Sequence, residues 1–453
     1  MLVIISDLHL TDGTSGETIR TGAFEAFRER LRDLAYDASW RDEDRYVPLE
    51  QVELVLLGDI LDVIRSTRWC GAPPGVRPWG DPSDSRVSDV VKRITSDIIA
   101  NNKGSLDILR SLHDPKVLSV PSSEERSDAA VGSGGLRSNE RVQVPVRIHY
   151  LVGNHDWFFN LRGSVYDQVR TLVADALGLD NDPNIAFPHD PADSNLLQKI
   201  YRDHRVFARH GDIFDPANFE QSRDASSLGD AIVIELLEKF AIEVKQRLRS
   251  KLPKACELGL KEIDNVRPLS MIPVWIDGLV QKTCTPDLSA EVKHIWNELV
   301  HKFLKVDFVK ARPFGSSALI KLGFEISSEL SLTGLSDVVM WFGAKGGHAG
   351  SLFPYALREA AFKEGWAKFI VYGHTHHYEV VPLQSTQEGD KTVDRLYINS
   401  GTWRPVHELA QFHAIQKQFA RYHVMTYLSF FKDDERKGRG FECWSGALGS
   451  SAG

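Results

Sequence analysis

Five strand-like runs in this sequence each close on a signature of Asp, His or Asn, and that repeated pattern calls for a sheet whose strand ends gather in one place. Leu2–Ile5 runs into Asp7-Leu8-His9, and Val52–Leu57 into Gly58-Asp59-Ile60-Leu61-Asp62. Val146–Val152 opens onto Gly153-Asn154-His155-Asp156, Val206–Arg209 onto His210-Gly211-Asp212, and Phe369–Tyr372 onto Gly373-His374-Thr375-His376. Short continuous runs rich in branched residues read as strands buried on both faces. Carboxylate oxygens, imidazole nitrogens and an amide oxygen at the ends of adjacent strands can converge on divalent cations, while glycines let the backbone turn tightly beside them. The expectation is a metal pocket on one edge of a sheet.

Bulk properties exclude several classes. The 453 residues are 42% hydrophobic and 26% charged, an ordinary globular make-up with length for two or three domains, or for one core with a large insertion. A net charge of -8 gives no general attraction for nucleic acid or anionic lipid, so an anionic substrate must be drawn in locally. Cys70, Cys256, Cys284 and Cys443 form no C-x-x-C pair, which argues against a disulfide framework and a zinc knuckle and favours reduced thiols in a cytoplasm. The opening MLVIISDLHL lacks a basic leader and does not resemble a signal peptide, and no apolar run reaches membrane-spanning length.

Between the motifs, Phe24, Phe27, Leu31, Leu34 and Ala35 recur at helical spacing, as do Val87 to Ile98 and Leu106 to Leu112. Residues from about 121 to 143 have the Ser, Gly and charge content of a mobile loop. From about 215 to 352 the pattern is mainly helical. Ile232, Leu236, Phe240, Val244 and Leu248 make one apolar stripe; Val292 to Leu304 make another, with Thr285-Pro286 at its start. The basic run KQRLRSKLPK, 245–254, reads as a solvated helix face before it reads as a substrate contact. A helix is expected over Tyr355 to Trp366, and strands at Leu396 to Asn399 and Val424 to Phe430.

In order, the motifs D-x-H, G-D-x-x-D, G-N-H-D, H and G-H-x-H resemble those of the calcineurin-like metallophosphoesterase superfamily, and they span the chain from Asp7 to His376. The resemblance implies an α/β fold, a four-layer αββα sandwich built from residues 1–214 and 353–453, with 215–352 inserted as a helical cap. It further implies two divalent metal ions, manganese by preference, with iron or zinc as alternatives. Asp7, His9, Asp59 and His376 would hold one ion, and Asp59, Asn154, His210 and His374 the other, with Asp59 bridging. His204 and His189 compete with His210 on sequence alone. A hydroxide between the ions would attack phosphorus, because a paired-metal site clamps both the attacking and the leaving oxygen. His155 would face the substrate, and Asp156 would accept its other ring N–H. Asp62, Asp212 and Asp215 are candidates to support the ligands, Asp62 equally a cap for the segment after it. On an extended backbone His374 and His376 share a side, so His377 points away.

The implied reaction is hydrolysis of a phosphodiester or pyrophosphate bond in a phosphate-containing small molecule or nucleotide conjugate. Phosphoprotein phosphatases carry G-D-x-V-D-R-G and G-N-H-E, which this chain lacks. The placement of the insertion and Asp7-Leu8-His9-Leu10 are similar to the UDP-2,3-diacylglucosamine diphosphatases, which have Arg where His155 stands, Arg-Pro where His377-Tyr378 stands, and a far smaller cap. A metal-dependent nuclease and a fold that has lost activity are the alternative readings. The acidic net charge leaves a nucleic-acid substrate open without favouring it.

Overall fold

The computed structural model describes residues 1–73, 75–123, 140–267, 269–312, 351–389, 391–410 and 418–448. It is a mixed α/β protein. One sheet is built from β1 (Leu2–Ile5), β2 (Val52–Leu57), β5 (Val146–Leu151), β10 (Arg404–Leu409), β11 (Phe419–Phe430) and β12 (Phe441–Leu448). β3 (Ser119–Pro121) and β4 (Arg141–Gln143) form a separate antiparallel pair. A second sheet runs β6-β7-β9-β8, with β6 (Val206–Arg209), β7 (Phe369–Tyr372), β8 (Glu379–Glu388) and β9 (Lys391–Asn399).

In the first sheet β1, β2 and β5 are parallel, with Leu2 opposite Glu53 and Val52 opposite Val146. β11 lies antiparallel to β1, and β12 takes its other edge. In the second sheet β6, β7 and β9 are parallel. All five motif-bearing strands are therefore parallel members of their sheets, which puts the C-terminal ends of each sheet's motif strands on one edge of that sheet. That edge is where ligands collect in parallel sheets, because the chain leaves every strand there.

The two faces of each strand go to different cores, as side-chain alternation requires. Leu2, Ile4, Val55, Leu57 and Leu151 pack with Val206, Ala208, Phe369, Val371 and Ile398 of the second sheet. Val3, Ile5, Leu54, Leu56 and Ile148 face the opposite way, onto the helices Thr21–Ala38, Ser85–Asn101, Lys103–Ser111 and Ser164–Leu177. Ile370, Tyr372 and Tyr397 turn to a smaller cluster with Leu352, Ala356, Ala361 and Ala367. The helix Thr21–Ala38 docks through the positions expected from its spacing, Phe24 and Phe27 each meeting the Trp403 ring at 5.3 Å between centroids.

Residues 228–309 carry a hydrophobic cluster of their own, with Phe240 edge-on to Trp296. Its first stripe is not a plain α-helix: Leu228–Ile232 passes into a π-helical stretch, Val233–Glu238, before Lys239–Leu248. The wider turn re-phases the side chains, so Val233 and Ile234 reach the main core while Leu236, Leu237 and Phe240 serve the inserted one. Of the expected insertion 215–352, residues 313–350 lie outside the described residues.

Two sequence expectations need correction. The helix read over Tyr355 to Trp366 is two short ones, Phe353–Ala356 and Ala360–Lys363. Glu359 between them is extended, its carboxylate drawn to the Tyr372 hydroxyl at 2.6 Å and to Arg209 at 3.4 Å. The loop read over 121–143 is strand at both ends, Pro121 pairing with Arg141, and 124–139 lie outside the described residues. Among the described residues no helix is long and apolar enough to cross a membrane.

Candidate metal centre

Backbone hydrogen bonds tie the strand ends to one another before any side chain is considered. Asp7 N donates to Gly58 O (3.1 Å), His9 N to Asp59 O (2.9 Å), and Gly373 N to His210 O (2.8 Å). Asp7, His9, Asp59, His374 and His376 all adopt positive φ, between 44° and 69°. Non-glycine residues rarely do so, and clusters of such conformations mark places where geometry is held for function.

The turns aim the expected residues at a common volume. Asp7, His9, Asp59 and His376 form one group whose donor atoms lie within 4.8 Å of one another, and Asp59, His210 and His374 form a second. In the first, His376 Nε2 lies 2.9 Å from His9 Nε2 and 3.3 Å from Asp7 Oδ1. In the second, Asn154 Oδ1 lies 3.1 Å from His210 Nε2 and 3.0 Å from His374 Nδ1. Asp59 Oδ2 is 3.6 Å from His9 Nε2 and 3.3 Å from His210 Nε2, so its carboxylate stands between the groups. The structure thus brings together all seven expected ligands. His204 and His189, the competitors of His210, are engaged elsewhere, with Ile200 O at 2.7 Å and Asp224 at 2.8 Å.

The donor set suits divalent ions such as manganese, iron or zinc, being mixed carboxylate, imidazole and amide oxygen. Seven polar side chains converge here, six of them under a tenth exposed or nearly so, and like-facing imidazole nitrogens at 2.9 Å make a natural partner for a cation. Burial alone would raise the carboxyl groups of Asp7, Asp59 and Asp62, yet the surrounding imidazoles hold all three below the usual carboxylate range. Burial alone would lower His155, and the carboxylates of Asp62 and Asp59 push it instead up to about 10.

Space around the ligands explains two motif glycines. A Cβ on Gly373 would stand 2.6 Å from Asp7 Oδ2, and one on Gly153 would collide with the Asp59 carboxylate. Only a hydrogen at these positions lets the backbone lie against the ligand oxygens.

The partner of His155 is not the expected one. Its Nδ1 meets Asp62 Oδ1 at 2.8 Å, whereas Asp156 is fully buried and accepts from Tyr150 Oη (2.5 Å), Ile60 N (2.9 Å) and Gly153 N (2.5 Å). The turn between Asn154 and Asp156 carries the carboxylate back under the backbone, where it closes the loop and cannot reach the ring beside it. Asp62, evenly balanced between two roles on sequence, fills both: Oδ2 holds His9 Nδ1 at 2.7 Å, while Oδ1 also accepts from Arg65 N at 2.9 Å. His9, Asp62 and His155 cluster closely enough to hold an ion, but the Nδ1 of each ring is already engaged by Asp62, which orients both imidazoles.

Asp215 holds His374 Nε2 at 3.0 Å, leaving Nδ1 toward Asn154, while Asp212 instead pairs with Arg223 at 2.7 Å. His377 is exposed, as expected, but for a different reason: φ of 69° and 61° at His374 and His376 curl the chain, so the argument from an extended backbone does not apply. The basic run 245–254 pairs with carboxylates of its own block, Lys245 and Lys254 with Glu257 and Arg247 with Glu243 and Glu298. One contact carried no sequence signal at all: Arg267, 109 residues from His376, places Nη2 3.1 Å from that residue's Nδ1.

Neither a protein-family model nor a curated protein matches this sequence.

Proposed function

We propose that the chain is a dinuclear-metal phosphoesterase of the calcineurin-like type, hydrolysing a phosphodiester or pyrophosphate bond. The single observation that carries the reading is the sharing of Asp59 between two donor groups drawn from five strand ends. The way the two sheets pack on each other, each with helices on its outer face, supports reading the core as a four-layer αββα sandwich.

Asp7, His9, Asp59 and His376 would hold one divalent ion, and Asp59, Asn154, His210 and His374 the other. When bound, such a pair polarises a phosphoryl group and activates water near neutral pH. The protein's own residues do the positioning. Asp62 fixes His9 and His155 through Nδ1, and Asp215 fixes His374 through Nε2. With Nδ1 committed to Asp62, His155 offers Nε2–H to a phosphoryl oxygen or the leaving oxygen. Asp156 shapes the loop that presents His155 and takes no proton in the reaction.

The test is metal analysis of purified protein together with hydrolysis of an aryl phosphodiester in manganese, beside single- and double-stranded DNA. Two ions per chain with turnover are expected. Protein that takes up no metal and cleaves nothing would return the chain to the inactive-scaffold reading, and preferential cleavage of DNA would make it a nuclease.

A further inference from the structure

Arg267 is the feature of the centre that the ligand set does not use. It comes from the inserted block, just after the helical turn Ile263–Asn265, and its backbone N–H donates to His407 O at 3.0 Å. Nη1 donates to the carbonyl oxygens of Asp264 (2.7 Å) and Val266 (2.8 Å), which anchors the guanidinium. Nε and Nη2 are turned to His376 Nδ1, at 3.4 and 3.1 Å. Two neighbouring guanidinium groups do have a carboxylate partner: Arg65 and Arg404 share Asp264, at 3.0 and 3.1 Å. Among the described residues no carboxylate oxygen lies within ion-pair distance of Arg267. A guanidinium kept for structure is ordinarily paired, because a buried unpaired cation is costly.

On the two-metal reading, on which this inference rests, the contact with His376 cannot persist. A ring that gives its Nε2 lone pair to an ion carries its proton on Nδ1 and has nothing there to accept from Arg267. Nε and Nη2 then lose their acceptor next to a residue that would hold an ion, with Nη1 still anchored. Charge decides what replaces it. Two divalent ions outweigh the carboxylates Asp7 and Asp59 and the attacking hydroxide by one charge, and Arg267 adds a second. A simple diester carries one negative charge, whereas a diphosphate carries two or more, and a planar guanidinium fork matches phosphoryl oxygens. We infer that Arg267 binds the second phosphoryl group of a diphosphate substrate, making the enzyme a pyrophosphohydrolase in which the inserted block supplies the selectivity.

The experiment compares manganese-loaded wild type, Arg267→Ala and Arg267→Lys on a nucleoside diphosphate conjugate and on an aryl phosphodiester. Calorimetry with imidodiphosphate, and metal content, are measured on the same samples. In Arg267→Ala the ratio of kcat/KM values, diphosphate over diester, should fall about 30-fold, as loss of a charged hydrogen-bonding group implies. Imidodiphosphate affinity should fall by a similar factor with two ions still bound, and Arg267→Lys should recover part of both. An unchanged ratio and affinity in a variant that keeps its metals overturns the role of Arg267 alone. Wild type that binds none of manganese, iron or zinc overturns the phosphoesterase reading and this inference with it. Should Arg267→Ala fail to fold, the Arg267→Lys ratio decides.

Discussion

At the residue scale, Asp62 and Asp156 show how two carboxylates of neighbouring motifs divide their work. Asp62 holds two imidazoles, so Asp62→Ala frees His9 and His155 together; on the proposed reading manganese affinity should fall by about 10- to 100-fold, as for other residues that orient ligands. Asp156→Asn should act on stability first, since its carboxylate closes a buried loop. Titration calorimetry and thermal melts of the two variants separate these outcomes, and a larger metal defect in the Asp156 variant would reverse the assignment. Gly153→Ala is a sharper probe. The new methyl group must push Asp59 aside, so metal affinity should fall at least about tenfold in a variant that still melts cooperatively.

At the scale of elements, the short pair β3 and β4 bounds what can be removed from the segment between them. A variant lacking 122–142 deletes Arg141 and Val142, the partners of Pro121 and Val120, and uncovers Val120, which is 1% exposed. It should melt lower than a variant lacking only 124–139, which leaves the pair intact; equal melting temperatures would show that the pairing contributes nothing. The π-helical stretch Val233–Glu238 works on the same scale. By turning Val233 and Ile234 to one core and Leu236 and Leu237 to another, it makes the inserted block part of the main packing and not a loose appendage.

For the whole molecule, pH bears on stability, and on the two-ion reading metal would as well. Glu238 is buried, and desolvation, only partly offset by Arg65 and reinforced by Asp264, pushes its carboxyl up to about 8. A carboxyl raised above its unfolded value stabilises the fold at low pH and loses that contribution as pH climbs toward the folded value. Between about pH 5 and pH 8 the melting temperature should therefore drop more for wild type than for Glu238→Gln, by about 2 °C or more; parallel profiles would place the charge elsewhere. Manganese should act in the other direction. At a hundredfold excess over Kd it would add about 2.7 kcal/mol, and a chelator should remove it. No shift on metal addition would count against the two-ion reading.

Local pattern made the five motif-bearing strands and their polar ends legible, because apolar runs and the residues that follow them are adjacent in the chain, and the family resemblance then named the seven candidate ligands; β8, β10 and β12, which carry no such apolar run, were not read. The helix Thr21–Ala38 was readable for the same reason, its buried positions recurring within one element. What the sequence left undecided were pairings between groups far apart or turned by the backbone: Asp62 and not Asp156 on His155, Glu359 breaking a helix to reach Tyr372, and Arg267 arriving from the inserted block. Those depend on φ values, loop direction and the meeting of two cores, which no local pattern encodes and which only the folded chain brings within hydrogen-bonding distance.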